Sequence, residues 1–319
     1  MKLKSLHIKN FKSIVDLEIV EPNPFTVFVG PNGSGKSNIF EALEFMVYIK
    51  YGDFKDIRLM GGIDKLSHYN SLNSKFIFSL SNYDLVHHIE NDYTKFQEFD
   101  TGIRPFDKFL WDSFNDWATL SKSFLRIFIK NVDKQKLNYE DDFKLNFSAS
   151  NLEKVLKRIL QDKNKREEIK EWLELFIPGF QDVKVNNANE LMIYEKGIEN
   201  HFPKDLLSDG TYNILALLAA VYQSDKPQFL CIEEPENGLN PYVIRKMVDF
   251  FRAACGNGHY IWLNTHSNAL VECLTPEELI VVDKIGGETK IKQIKGMDLH
   301  GLDMAEVWLS GALGGGTPW

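Results

Sequence analysis

The chain has 319 residues, of which 44% are hydrophobic, 13% aromatic and 26% charged. This composition is typical of a globular protein and excludes a fibrous or largely disordered one. The net charge is -8, which excludes a generally basic nucleic-acid-binding surface but not a local basic patch. The longest apolar run, residues 214–222, is far shorter than the roughly 20 residues of a membrane span, so no membrane partner is expected.

The cysteines and the N-terminus indicate where the protein works. Cys231, Cys255 and Cys273 are widely spaced and odd in number, so the sequence predicts neither a disulfide framework nor a zinc site. The first residues lack the apolar stretch and the cleavage site of a secretory signal. These features predict a reducing, cytoplasmic location.

The first 50 residues predict strands, a glycine-rich turn and a helix. Residues 3–8 and 15–20 alternate between apolar and polar side chains, as half-buried strands do. The apolar, β-rich run Phe25–Val29 predicts a buried strand, and glycines interrupt the chain directly after it. From Ser37 onward apolar residues recur at helical spacing, which predicts a helix.

Residues 82–205 are a different kind of sequence, rich in aromatic and helical patterns. Residues 124–128 fit such a pattern, and residues 151–170 predict one charged helix whose mixed charge favours a solvated face over a phosphate-binding face. No heptad pattern persists, which excludes a long coiled coil. We expect the tryptophans here to lie in the core or against a partner rather than to stack on bases; they are Trp111, Trp117 and Trp172.

From residue 206 onward strands and helices alternate again, as in an α/β domain. The pattern predicts helices at residues 214–222, 243–251 and 269–273, and strands at 229–232, 260–263, 279–282 and 289–294. The sequence therefore predicts a discontinuous α/β head, residues 1–81 and 206–319, split by a mostly helical insertion of residues 82–205.

Residues 30–37, Gly-Pro-Asn-Gly-Ser-Gly-Lys-Ser, match the eight-position phosphate-binding loop (P-loop) in full. Glycines let the backbone curl so that its N–H groups face phosphate oxygens, and the following helix adds its positive end. We expect Lys36 to reach the β- and γ-phosphates of ATP and the Ser37 hydroxyl to coordinate Mg²⁺. A glycine turn that binds nothing is disfavoured because both flanking elements fit. The other members of this nucleotide site are Asn32, Gly33, Ser34 and Gly35.

A second candidate site follows the apolar run at residues 229–232, where the sequence continues Glu-Glu-Pro-Glu. Carboxylates at this point lie at the carboxyl edge of a parallel sheet, where α/β folds bind ligands. Neighbouring side chains at a strand end point in different directions. We assign Glu233 to Mg²⁺, through water, and Glu234 to the attacking water as general base. The alternative is a solvated acidic turn, and Glu236 is expected to be structural.

Four further stretches complete a resemblance to a known family. Residues 207–211, Leu-Ser-Asp-Gly-Thr, precede an apolar helix and resemble the signature Leu-Ser-Gly-Gly-Gln of ABC-type ATPases. Residues 237–241, Asn-Gly-Leu-Asn-Pro, resemble the D-loop of that family, and residues 264–267, Asn-Thr-His-Ser, its switch histidine. Residues 6–13 resemble its opening strand. The chain thus resembles ABC-type ATPases of the RecF, SMC and OLD group, and its glycine-rich ending resembles small members without a Toprim domain.

The resemblance implies a P-loop NTPase fold, an ABC-type ATPase head with an N-terminal β-rich lobe. It also implies a head-to-tail homodimer or higher oligomer, in which Ser208 and Gly210 of one chain face the ATP of another. His266 would contact the γ-phosphate and hold the water, and Lys12 would touch the nucleotide. The residue-level alternatives are a plain helix cap for Ser208 and Gly210, a core histidine for His266 and an exposed strand lysine for Lys12.

The motif set departs from the family at several points. Asp209 and Thr211 replace the usual glycine and glutamine of the signature, which predicts altered contacts between chains. The Q-loop glutamine has no evident position, and no nuclease acid cluster is visible. We therefore favour an ATPase that controls a separate effector, a nuclease or a toxin, in anti-phage defence. The alternatives are a RecF-like repair ATPase that binds DNA and a nucleotide-gated scaffold that restrains a toxin.

Overall fold

The computed structural model describes residues 3–51, 66, 75–82, 86–92, 123–129, 142–299 and 301–313. Trp111 and Trp117 lie outside them. The strands are β1 (Leu3–Phe11), β2 (Ile14–Val20), β3 (Phe25–Val29), β4 (Lys75–Asn82), β5 (Val86–Asp92), β6 (Phe124–Phe128), β7 (Phe180–Val185), β8 (Leu191–Glu195), β9 (Phe202–Pro203), β10 (Phe229–Glu233), β11 (Tyr260–Thr265), β12 (Leu279–Ile285) and β13 (Glu288–Gln293).

The helices alternate with these strands in the second half of the chain. They are α1 (Lys36–Tyr51), α2 (Leu152–Ile159), α3 (Lys163–Phe176), α4 (Asp209–Tyr222), α5 (Pro241–Gly256), α6 (Asn268–Val271) and α7 (Met304–Leu309), with short 3₁₀ turns at Lys204–Leu206 and Pro276–Glu278. Among the residues that the structure describes, none of these helices is both long enough and apolar enough to span a bilayer.

The chain forms two compact units, and the first combines residues 1–124 with residues 274–319. It contains an antiparallel sheet in the order β2-β1-β4-β5. In a second group of strands β12 pairs parallel with β3 and antiparallel with β13. All five residues of β3 are buried, as expected of a strand in a parallel pair that is covered on both faces.

The second unit is the continuous segment of residues 125–273. Its strands β10 and β11 are parallel and buried throughout, and β6 lies beside β10. A small antiparallel sheet has the order β7-β8-β9. Trp172 packs edge-on against Phe250, with ring centroids 5.0 Å apart, which confirms a packing role for this tryptophan.

Two local predictions in residues 82–205 were wrong. Residues 124–128 form the strand β6 rather than a helix, because a short run whose only polar residue is Arg126 suits a buried strand as well as a helix. Residues 151–170 do not form one helix. The chain breaks between α2 and α3, where the Asp162 side chain accepts hydrogen bonds from the backbone N–H groups of Asn164 and Lys165 at 2.9 and 3.2 Å. Asp162 is therefore the N-cap of a new helix. The division into a head and an insertion stays a prediction.

Candidate functional site

The P-loop lies between β3 and α1 in the first unit, as the sequence predicts. Gly33 and Gly35 have φ values of +78° and +102°, which residues with a Cβ rarely adopt. The buried Lys36 ammonium group donates hydrogen bonds to the carbonyl oxygens of Gly30 and Pro31, at 2.6 and 3.0 Å. The lysine thus serves as the hydrogen-bond donor to the inner carbonyl oxygens of a preformed loop. Asn32 and Gly33 are exposed at the tip of the loop, whereas Ser34 is buried and Ser37 lies in the first turn of α1.

Close packing explains the glycine at the start of the loop. A Cβ on Gly30 would overlap the carbonyl oxygen of Val282 on β12. The loop therefore leaves β3 with its backbone directly against the neighbouring strand, and a larger residue would displace it. Such a contact fixes where the phosphate-binding N–H groups begin.

Lys12 is not the exposed strand lysine that the sequence offered as an alternative, and its contact with the nucleotide stays a prediction. It follows β1 with a φ of +50°, and its side chain is only 18% exposed. The ammonium group forms an ion pair with Glu41 on α1, while the backbone N–H donates to the carbonyl of Leu66 at 2.7 Å. Lys12 therefore joins the opening turn to the helix that follows the P-loop.

The second unit carries the acidic strand end. Glu233, the last residue of β10, forms a buried ion pair with Arg126 of β6. The Arg126 Nε donates to Glu233 Oε1 at 2.7 Å, and Nη2 contacts the same oxygen. The two side chains are only 3% and 8% exposed. This arginine therefore compensates the charge of the carboxylate that the sequence assigns to the metal, and no motif indicated it.

Glu234 has an unusual backbone conformation, with a φ of +46°. Its N–H donates to the carbonyl oxygen of Asn264 at 3.0 Å and to the Asn264 side-chain oxygen at 3.2 Å. The Asn237 amide donates to Glu234 Oε2 at 3.2 Å. A residue in the left-handed region costs energy and persists only when its surroundings hold it there. The bonds that Glu234 donates to Asn264 hold this backbone conformation, and the bond from Asn237 orients the carboxylate of Glu234.

His266 lies next to this carboxylate. Its Nδ1 is 3.6 Å from Glu234 Oε1, and its side chain is 48% exposed. The histidine is thus not a core residue, and it can reach a ligand beside Glu234. The structure therefore brings together the two residues that the sequence assigned to catalysis.

Glu236 is a feature of this site that the sequence assigned only a structural role. One carboxylate oxygen accepts a hydrogen bond from the Thr265 hydroxyl, which in turn accepts one from the Ser267 N–H at 2.9 Å. Among the described residues the other oxygen, Oε2, is buried without a hydrogen-bond partner. Burial, together with the nearby charge of Glu234, raises the pKa of Glu236 to about 7.

The signature segment begins α4. The Ser208 side chain accepts a hydrogen bond from the backbone N–H of Thr211 at 3.1 Å, so Ser208 is an exposed N-cap. Gly210 is buried, and a Cβ there would overlap the carbonyl oxygen of Gly238 in the D-loop segment. The close approach that Gly210 permits is therefore to the protein's own backbone.

Asn213, one turn further along α4, strengthens this contact. Its amide donates to the carbonyl oxygens of Pro235 and Asn237, each at 2.8 Å. Two kinds of contact within one unit thus join the start of α4 to the D-loop segment and the acidic strand end: the close approach of Gly210 and the hydrogen bonds of the Asn213 side chain. A displacement of any one of them is transmitted to the others.

Comparisons with known proteins agree with these motifs. Residues 25–272 match the sequence profile of a family described as "AAA domain, putative AbiEii toxin, Type IV TA system". That match spans most of the chain and includes the P-loop, the signature segment and the acidic strand end. The chain belongs to this AAA domain family.

Relatives of this AAA domain protein carry related names. An ATP/GTP phosphatase of Helicobacter pylori is 22% identical over 350 aligned positions, which cover 93% of this chain and 94% of that protein. The DNA replication and repair protein RecF of Anaeromyxobacter dehalogenans is 40% identical over 50 residues, only 16% of this chain and 13% of RecF. A crystal structure of an SMC head bound to the C-terminal winged-helix domain of ScpA has a TM-score of 0.60 at 15% identity, covering 92% of this chain and 98% of that one.

The AAA domain protein is therefore an α/β P-loop ATPase of the ABC type, with an SMC-like head fold. This confirms the resemblance to RecF and SMC proteins and the expectation of an ATP-binding enzyme. The roles of individual site residues stay predictions. Among the described residues no three His, Cys, Asp or Glu side chains cluster as metal ligands.

Proposed function

We propose that this ATPase hydrolyses ATP with Mg²⁺ in sites shared by a head-to-tail pair of chains, and that closure of the pair controls a separate effector in anti-phage defence. The contact of Gly210 with Gly238, reinforced by Asn213, carries this proposal. It couples the helix that would face a partner's nucleotide to the strand end that holds the catalytic carboxylates. Binding of a second chain at the start of α4 can therefore change the position of the carboxylates that would carry out hydrolysis.

Each unit supplies some of the residues that would carry out the hydrolysis of ATP. Lys36 exchanges the carbonyls of Gly30 and Pro31 for the β- and γ-phosphates, to which an ammonium group binds more strongly. The Ser37 hydroxyl and the Glu233 carboxylate are oxygen donors of the kind that Mg²⁺ prefers together with phosphate and water. This ion would supply charge neutralisation at the transferring phosphoryl group. Glu234 accepts the proton of the attacking water, and His266 orients that water.

The relatives support the type of reaction. The Helicobacter pylori protein is named an ATP/GTP phosphatase, and its similarity extends over nearly the whole chain. We therefore include GTP as a second nucleotide to be assayed. SMC heads are solved with a bound ScpA domain, which supports a role in which a head of this fold contacts a separate protein.

A Glu234→Gln variant tests the proposed base. We expect it to bind ATP as the parent does but to hydrolyse it at least about 100-fold more slowly, since general bases contribute about 10²–10⁴-fold. The trapped nucleotide should also hold a stable pair of chains. Size-exclusion chromatography with light scattering, with and without ATP and Mg²⁺, measures that pair alongside phosphate release. If the variant hydrolysed ATP at the parent rate, Glu234 would not be the general base.

Two controls accompany this experiment. Glu199→Gln changes an exposed glutamate in the same chemical way and should leave both hydrolysis and mass unchanged. Lys36→Ala should lose nucleotide binding while the thermal unfolding of the unliganded protein stays close to that of the parent. Unchanged ATP affinity of Lys36→Ala in equilibrium dialysis would show that the triphosphate lies elsewhere.

Two other functions follow from particular observations. The family description names a toxin of a type IV toxin–antitoxin system, which favours a nucleotide-gated protein that acts with or restrains a toxin with little turnover. The short similarity to RecF favours direct DNA binding. Co-purification with the products of neighbouring genes, with and without ATP, separates these cases: a nuclease supports the defence role, a toxin or its antidote the second function, and DNA alone the third.

A further inference from the structure

Behind the P-loop, four residues of the first unit are joined by hydrogen bonds. The Asn38 amide donates to the Ser13 hydroxyl at 2.6 Å, and Ser13 lies 2.6 Å from the Thr289 hydroxyl. Thr289 donates to the carbonyl oxygen of Ser34 at 2.9 Å. We call these four residues the loop brace. They come from α1, the turn between β1 and β2, β13 and the P-loop itself.

The direction of every hydrogen bond in the brace is determined. A carbonyl oxygen only accepts, so the single hydroxyl proton of Thr289 is committed to Ser34. The Ser13 hydroxyl must therefore donate to Thr289, and it accepts from Asn38 in turn. Hydrogen bonds that point one way along a chain polarise and strengthen each other. Ser13 and Thr289 are buried, at 6% and 0% exposure, so water does not compete for these bonds.

The brace fixes the orientation of a peptide group in the loop. In a planar trans peptide the carbonyl and the following N–H point in opposite directions. Because Thr289 holds the Ser34 carbonyl, the N–H of Gly35 points away from β13. Among the described residues this N–H donates to no protein acceptor. This N–H is therefore available to a phosphate oxygen, as the N–H groups of anion-binding loops are.

Gly35 is in direct contact with the brace. A Cβ at this position would overlap the Thr289 hydroxyl and come within 2.9 Å of the Ser13 hydroxyl. The backbone N–H of Thr289 also donates to the carbonyl oxygen of Ser13, at 2.7 Å. The loop backbone thus rests on two hydroxyl groups that are themselves held in place.

We propose that Thr289 and Ser13 are positioning residues for the triphosphate: through the Ser34 carbonyl they hold the Gly35 N–H in the orientation that binds a phosphate oxygen. This proposal rests on the proposed role of the P-loop. It extends that role to a strand near the end of the chain, which no motif of the sequence marks. The ligand is the phosphate chain itself, so the brace acts on any nucleoside triphosphate.

Thr289→Val tests the proposal, because valine keeps the shape of threonine but cannot donate. We expect its Kd for ATP with Mg²⁺ to rise about tenfold, and its Kd for inorganic tripolyphosphate to rise by the same factor. Thr289→Ser restores the donor and should bind both within about threefold of the parent. Isothermal titration calorimetry measures both ligands.

A matched control separates positioning from stability. Thr26 is also a buried threonine of the first unit, and its hydroxyl donates to the carbonyl oxygen of Asn23 at 2.6 Å. Thr26→Val should lower the melting temperature of the unliganded protein, as Thr289→Val does, but leave the Kd for tripolyphosphate unchanged. If Thr289→Val lowers the melting temperature and keeps the parent Kd, its role is structural and the proposal is wrong.

A second variant keeps the proposal testable if Thr289→Val folds poorly. Ser13→Ala removes the middle of the brace but leaves Thr289 bonded to Ser34, so a smaller loss of about threefold in tripolyphosphate affinity is expected. If Ser13→Ala and Thr289→Val both bind tripolyphosphate with the parent affinity while Lys36→Ala does not bind it, the brace proposal is wrong and the P-loop assignment stands. Parent affinity in Lys36→Ala as well would instead contradict the P-loop assignment.

Discussion

Buried charge at single residues of the second unit has consequences for stability. Glu236 holds its proton up to about pH 7 in the folded protein, against an ordinary value of 4.5, because burial disfavours the charged carboxylate. The unfolded chain therefore releases this proton first as the pH rises. The folded state loses relative stability between about pH 4.5 and pH 7, and the loss is complete at higher pH.

Glu236→Gln removes this titration. We expect the variant to be more stable than the parent at pH 8, by at most about 3 kcal/mol at about 1.4 kcal/mol for each pKa unit. The difference should shrink toward pH 5, where the parent carboxyl is protonated. Urea unfolding at a series of pH values measures it. A difference that does not change with pH would show that Glu236 titrates normally.

The ion pair of Arg126 and Glu233 predicts a different effect. Arg126→Met leaves a buried carboxylate without its bidentate donor, so we expect the free energy of unfolding to fall by about 3–5 kcal/mol. The double variant Arg126→Met with Glu233→Leu removes both charges and should recover most of the loss. Denaturant unfolding of the two variants tests this, and an equal loss in both would mean that the charges are not coupled.

At the scale of the element, the N-terminus of helix α4 has two roles that a substitution can separate. Ser208 caps the helix, and the same side chain is proposed to face a partner's nucleotide. Aspartate is as good a cap as serine, but it places a negative charge toward phosphates. Ser208→Asp should therefore unfold at the parent temperature and yet fail to form the ATP-dependent pair.

Ser208→Ala is the comparison for this variant. It removes the cap and should cost about 1 kcal/mol of stability, without adding a repulsive charge. Thermal unfolding and light scattering with ATP distinguish the two variants. If Ser208→Asp forms the pair as readily as the parent, the N-terminus of α4 does not face a nucleotide.

The elements that the sequence predicted correctly are those with one dominant local pattern. The runs at β10 and β11 are continuously apolar, the run at β3 is interrupted only by Thr26, and the glycine spacing of the P-loop requires one backbone path. The prediction failed at β6 because a run of four apolar residues around Arg126 fits a strand and a helix alike. It missed the start of α3, although Asp162 before a charged segment is a cap signal that could have revealed the break.

At the scale of the whole molecule, the missed contacts are those between distant parts of the chain. Arg126 and Glu233 are 107 residues apart, and Thr289 and Ser34 are 255 residues apart. No spacing rule connects such pairs, because only the folded sheet brings them together. Motifs marked the positions of Glu234 and His266, whose catalytic roles stay predictions, whereas no motif marked Arg126 or Thr289.

Net charge bears on the choice between functions. A chain with a charge of -8 repels a polyanion in general, so tight DNA binding would require a concentrated basic patch. We expect the isolated protein to show no salt-sensitive binding to duplex DNA, and its ATPase rate to be unchanged by DNA. Fluorescence anisotropy over a range of salt concentrations tests this, and tight binding that weakens with salt would favour the RecF-like function.

The position of Thr289 also matters while the protein is being made. A ribosome that adds about 5–20 residues per second completes the glycine turn early but needs many more seconds to reach the threonine that steadies it. A nascent or prematurely terminated polypeptide would therefore carry the whole Gly-Pro-Asn-Gly-Ser-Gly-Lys-Ser motif and still hold nucleotide poorly. Tight binding would begin only after residue 289 has been synthesised, which keeps shorter products inactive.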